Sequence, residues 1–176
     1  MKAPKAITHE AALRCKKKDL LEFIEQIKGL GCKLGPILFQ LPPSLALESK
    51  VVKQFFTLVR DVYGGDVVFE PRHASWFTRA ADGLLKQFKI ARAGADPACV
   101  PQAAIPAESG NVVYFRLHGS PRKYYSSYDD QFLSSLAATL AGLSPMTEAW
   151  CIFDNTASGA ASGNALALQQ KLPAAR

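Results

Sequence analysis

Short apolar runs alternate along the chain with longer segments of helical periodicity. Leu20, Ile24 and Ile27 recur at helical spacing and predict a helix over 19–30, ended by Gly29 and Gly31. A compact apolar run over 36–41 stops at Pro42-Pro43 and predicts a strand. Val51, Val52, Phe55, Phe56, Val59 and Val62 form a wide apolar stripe and predict a helix over 48–63. The alternation continues with strands over 66–70, 89–93, 111–117 and 149–153. Helices are predicted over 78–88, 127–140 and 160–172, and the proline-bearing stretch 97–110 reads as a loop with at most a short helix. Strand and helix in alternation with short connections imply βαβ units and a parallel sheet.

The faces of the strands carry more information than their existence. Side chains at i and i+2 share a face of a strand. Val113, Phe115 and Leu117 make one face of the 111–117 strand, and Tyr114, Arg116 and His118 make the other. Glu70 and Arg72 likewise share a side, Gln40 alternates with Phe39 and Leu41, and Asp154 alternates with Phe153. A sheet covered by helices on both faces reads as continuously apolar. Here one face turns polar toward each carboxyl end, which a (β/α) barrel explains: the apolar face meets helices and the polar face opens at the mouth. The three histidines fit, with His73 and His118 at strand ends and His9 closing what reads as the end of a preceding strand.

Composition narrows the class. At 176 residues and 48% hydrophobic the chain can bury one sizeable core. No apolar run approaches the roughly 20 residues of a membrane helix, and the first residues lack a secretory apolar core; no membrane role and a cytoplasmic location are expected. Cys15, Cys32, Cys99 and Cys151 form no C-x-x-C pair and read as reduced packing thiols. The net charge of +6 favours anionic partners, an anionic small molecule or nucleic acid. Its densest cluster, Arg14 with Lys16, Lys17 and Lys18, reads as a solvated face. There is no G-x-G-x-x-G after a strand and no P-loop, and no sequence feature names a cofactor.

Five stretches carry a family likeness. They are Lys5-Ala-Ile-Thr-His9, 34–43 (LGPILFQLPP), 70–76 (EPRHASW), 114–119 (YFRLHG) and Phe153-Asp-Asn155. In this order they resemble the YecE-like family, a domain of unknown function. The resemblance spans almost the whole chain and implies a TIM-type barrel of cytoplasmic bacterial proteins, with no established activity. Three positions depart from the family pattern. Pro71 stands where an aromatic is usual, Ala74 where proline is usual, and Asp154 precedes Asn155 where two asparagines are usual. The family also begins with further strands and helices, so the resemblance implies an incomplete barrel, 1–176, lacking its first elements.

The candidate chemistry follows from the inner face. Arg72 and Arg116 suit a phosphate or carboxylate by bidentate hydrogen bonding. Glu70, His118, Asp154 and His9 are candidate catalytic groups, the carboxylates as bases and the imidazoles as acid or base. Gln40, Trp76, Tyr124 and Asn155 are candidate substrate-binding residues beside the two arginines, the aromatics by stacking on a base or sugar. No H-x-H or H-E-x-x-H pattern points to a metal. Three readings stay open. The first is a hydrolase-type enzyme for a phosphorylated or other anionic substrate. The second is a carbohydrate-active barrel pairing Glu70 with Asp96 or Asp154. The third is a non-catalytic ligand-binding protein. An internal ion-pair network around Glu70 is the structural alternative to all three.

Overall fold

A computed structural model describes residues 1–107 and 111–173. The chain divides into two compact units. One holds Met1–Ala93 and the stretch beginning at Ala107; the other holds Gly94–Pro106 and the stretch beginning at Asn111.

The first unit runs from a π-helical turn, Ala6–Glu10, into α1 (Lys17–Lys28), β1 (Ile37–Gln40), α2 (Ser49–Val62), β2 (Val67–Glu70), α3 (Arg79–Gln87) and β3 (Ala91–Arg92). The strands make a parallel sheet in the order β1-β2-β3, with Phe39 level with Phe69 and Gln40 level with Glu70. The alternation within each strand sorts the faces as the pattern predicts. Ile37, Phe39, Val67 and Phe69 pack with Phe55, Phe56 and Val59 of α2 in one core. The rings of Phe39 and Phe69 stack 5.4 Å apart, and Phe56 meets Phe69 edge-on at 4.8 Å. These arrangements add to the burial energy of each ring. Leu38, Val68 and Glu70, on the opposite face, are also buried. Thr78 accepts a hydrogen bond from the Ala81 amide and so starts α3.

The second unit contains β4 (Gly94–Asp96), a 3-10 turn (Pro101–Ala104), β5 (Val112–Leu117), α4 (Asp130–Ala141), β6 (Glu148–Phe153) and α5 (Ala160–Lys171). Its sheet is parallel in the order β4-β5-β6. Val113, Phe115 and Leu117 of β5 pack with Leu133, Leu136 and Ala137 of α4 and Leu168 of α5 in a second core. β5 is buried along its length, whereas β6, which has one strand neighbour among the described residues, is exposed or half-buried.

One expectation is corrected here, that of His9, and two others are refined. The described strands pair as two three-stranded parallel sheets and close no barrel. The predicted 89–93 strand is shorter than expected. Its ladder to β2 is two residues long, and the Arg92 backbone is then taken on its other side by an antiparallel bridge to Ala107. His9 does not close a strand. The extended residue of that segment is Lys2, which bridges Leu38 in parallel, and the chain has already turned into the π-helical Ala6–Glu10 when it reaches His9. Residues 108–110 of the predicted 97–110 loop lie outside the described residues; the short helix expected within it is the 3-10 turn Pro101–Ala104.

Candidate functional site

Two polar clusters stand at carboxyl ends of strands, one in each unit. In the first, Glu70 ends β2 with 1% of its surface exposed. A buried carboxylate is costly unless paired and hydrogen-bonded. Gln40, level with it on β1, donates Nε2 to both carboxylate oxygens at 2.9 and 3.0 Å. Arg72 donates Nε and Nη2 to Oε1 at 3.1 and 3.0 Å. The register of β1 on β2 thus places the amide, and the i+2 spacing places the guanidinium.

The neighbouring candidates have other duties. Trp76 packs its ring against Phe69 in the first core, at 1% exposure, and donates its indole N–H to the Leu45 carbonyl at 2.9 Å. The ring offers no open face for stacking a ligand, which corrects that expectation. His73 accepts from the Ser75 amide at its Nδ1 and caps the short 3-10 turn Ala74–Trp76. The Thr8 hydroxyl lies within hydrogen-bond distance of the Pro4 carbonyl, at 3.3 Å, and of His9 Nδ1, at 2.8 Å.

In the second unit, Arg116 and His118 project from one face of β5 and its end, and Asp154 follows β6. Asp154 Oδ2 accepts from Arg116 Nη2 at 2.8 Å and from His118 Nδ1 at 2.9 Å. The imidazole is buried, 2% exposed, while the carboxylate is 36% exposed. Its backbone is fixed as well: the His118 amide bonds to the Asp96 carbonyl of β4, and the Asp154 amide bonds to the Leu117 carbonyl. Nδ1–H donation to a carboxylate sets the tautomer and the plane of the ring and directs proton-transfer chemistry to Nε2.

The loop after β5 is built tightly around this pair. Gly119 has φ +90°, and a Cβ there would come within 2.8 Å of the Ser126 carbonyl. Tyr124 is held at φ +70°, a strained region for a bulky residue. Its amide bonds to the His118 carbonyl, its carbonyl accepts from Ala157, and its ring meets the imidazole edge-on at 5.8 Å. With 41% exposure it covers the histidine while facing solvent. Tyr128 donates its hydroxyl to Asp96 Oδ2 at 2.7 Å and accepts the Gly119 amide at 2.8 Å. Burial, then the bond to Asp96, pushes its phenol well above the usual tyrosine range.

Asn155, expected to bind substrate, is fully buried. Its amide nitrogen donates to the Ser126 carbonyl and to Asn164 Oδ1, at 2.9 and 2.8 Å. Asn164 in turn donates to the Tyr128 carbonyl and Ser127. Asn155 therefore ties the β5 loop to α5, a correction of its expected role. Asn164 was invisible as a site residue; the only sequence signal is a polar residue in an otherwise small and apolar helical stretch. Among the described residues no three histidine, cysteine, aspartate or glutamate side chains converge as metal ligands do, and no helix is long and apolar enough to cross a membrane.

No curated protein matches the chain. A DUF72 family protein of Thermotoga maritima MSB8 superposes with a TM-score of 0.82 at 26% identity, covering 97% of this chain and 70% of that one. A DUF72 family protein of Enterococcus faecalis V583 superposes in two structures, each with a TM-score of 0.78. The identities are 19% and 21%, over 100% and 97% of this chain and 74% and 76% of that one, and at that level they bear on the fold alone. The family described as "Protein of unknown function DUF72", the same family as the YecE-like proteins, matches residues 1–176. The chain belongs to the DUF72 family.

Proposed function

We propose that this chain is a hydrolase-type enzyme for a phosphorylated or otherwise anionic substrate, with His118 as its general acid–base. The carrying observation is the single oxygen, Asp154 Oδ2, that accepts from both Arg116 and His118. The carboxylate orients the imidazole and stabilises the imidazolium formed when Nε2 takes a proton from an attacking water. The same carboxylate holds the Arg116 guanidinium at the end of β5, where a cation offsets charge that develops on an anionic ester. Tyr124, strained and half-exposed over the ring, is the neighbouring surface for a substrate.

The finer architecture we read is a TIM-type (β/α) barrel. Its support is the repeated strand–helix order, the parallel pairing in both sheets, and the position of Gln40, Glu70, Asp96, His118 and Asp154 at or just past the ends of strands.

The test is turnover of a panel of phosphate mono- and diesters by the purified chain and by His118→Asn and Asp154→Asn. General acid–base catalysis contributes about 10²–10⁴-fold, so His118→Asn should lose about that factor while remaining folded. Turnover that is unaffected by His118→Asn, or absent from the whole panel, sinks the reading. A non-catalytic ligand-binding role has one observation of its own: the Glu70 carboxylate is engaged by Gln40 and Arg72. Binding of panel members without turnover would favour it.

A further inference from the structure

The second unit carries a cavity that the acid–base pair does not use. It has a volume of about 210 Å³ and lies between β4, β5, the 3-10 turn Pro101–Ala104 and α4. The pairing of β4 with β5 sets Gly94 level with Phe115 and Asp96 level with Leu117. Level residues of paired strands share a face, and alternate residues return to it. Gly94 and Asp96 therefore lie on the side of the sheet that Phe115 and Leu117 turn toward α4. Arg116, level with Ala95, belongs to the other side. The turn comes down closely onto Gly94: a Cβ there would stand 2.7 Å from the Ala104 carbonyl and 2.8 Å from the Pro106 ring.

One charge stands in an otherwise uncharged lining. Phe115, Leu117, Phe132 and Leu136 supply apolar walls, Ser135 lines the cavity from an exposed position on α4, and Asp96 is the charged residue. Tyr128 holds the carboxylate in place. Its hydroxyl donates to Asp96 Oδ2 at 2.7 Å, and its ring stacks on Phe132 with centroids 4.3 Å apart. A neutral phenol satisfies one oxygen without cancelling the charge. Asp96 is half-buried, and among the described residues Oδ1 accepts from no donor and the carboxylate makes no ion pair. Taking a carboxylate out of water is costly unless it is paired. A neutral apolar molecule in the cavity would leave it facing hydrocarbon, and an anion would be repelled. An organic cation pairs it and buries its own carbon against the rings.

We propose that this cavity binds a small organic cation, a primary ammonium carried on an apolar ring or chain. The ammonium donates to Asp96 Oδ1, and the carbon body lies against Leu117, Phe132 and Leu136. A cavity of about 150 Å³ accommodates benzene, so this one has room for a ring with a short ammonium arm. The site lies on the face of β5 opposite Arg116, and the proposal stands whether or not His118 is catalytic.

The experiment follows the backbone amides of the full chain by NMR as benzylammonium is added, with benzyl alcohol as the neutral probe of similar shape. Benzylammonium should shift the amides of Ala95, Ala104, Ser135 and Leu136 saturably and bind more tightly than the alcohol. Asp96→Asn keeps an acceptor for Tyr128 and should keep the native spectrum. It should weaken benzylammonium about fivefold, the factor one unit charge near 4 Å is worth in water, and leave the affinity for the alcohol unchanged. Ser135→Phe, at an exposed position of the lining, fills the cavity and should abolish binding of both probes. If Asp96→Asn does not fold, the preference for the cation and its loss in Ser135→Phe still decide. Equal affinity for the two probes overturns the proposal. So do benzylammonium shifts that lie elsewhere on the chain, or an affinity that neither variant changes.

Discussion

At the scale of single residues, the carboxylate that ends β2 and the one that follows β6 have opposite characters. Glu70 is sealed and its oxygens are occupied; Asp154 is one-third exposed and shares one oxygen between two donors. Removing one member of a buried pair leaves an uncompensated charge. Arg72→Ala should therefore destabilise the chain by about 3 kcal/mol, read as a lower urea midpoint. Arg72→Ala together with Glu70→Gln should recover part of the loss, because no charge is then stranded. The thiols divide as sharply. Burial pushes Cys151 up to about 12, and burial with the nearby Asp19 pushes Cys15 up to about 11. Cys32 and Cys99 are exposed. Ellman's reagent at pH 8 should titrate two thiols quickly and two only slowly, because the thiolate is the reacting form. Four equal rates would contradict this.

At the scale of elements, most of the secondary structure was legible because it is written in local periods. Phe39, Phe69 and Phe115 could be assigned to the helix-facing side from alternation alone, and each lies in a core. The stripe on α2 needed nothing beyond helical spacing. Caps are local too, though the period alone started α4 at 127. Asp129 accepts the Phe132 amide at the start of α4 at 2.8 Å. Asp129→Ala should cost about 1 kcal/mol, measured by thermal or denaturant unfolding, with the change confined to stability. What stayed illegible depends on distant partners. A five-residue π-helical turn has no period to detect, so 6–9 read as strand while the true extended residue was Lys2, opposite Leu38. Trp76 after a polar strand end looked like a ligand-stacking ring; only the tertiary fold puts it on Phe69. Asn155 and Asn164, nine positions apart, meet because α5 turns back on the loop after β5. Arg116, His118 and Asp154 were legible as strand-end polar residues, together with Gln40, Glu70 and Arg72; that Asp154 meets Arg116 and His118 depends on the pairing of β5 with β6.

At the scale of the whole molecule, charge acts beyond any one site. A net +6 on 176 residues attracts polyanions without regard to sequence. The chain should be retained on heparin at low salt and elute as ionic strength shortens the screening length. Retention that persists in strong salt would instead indicate a specific, desolvated contact. The fold places its chemistry unevenly with respect to strand support. The Asp154 carboxylate hangs from β6, a strand laddered on one side among the described residues, whereas His118 follows β5, laddered on both. Opening β6 requires breaking one set of ladder bonds; opening β5 requires two. The lifetime of the Asp154–His118 pair is thus bounded by how often a border strand frays. Amide exchange along Trp150–Phe153 would act as a clock for the interval over which the imidazole stays aimed.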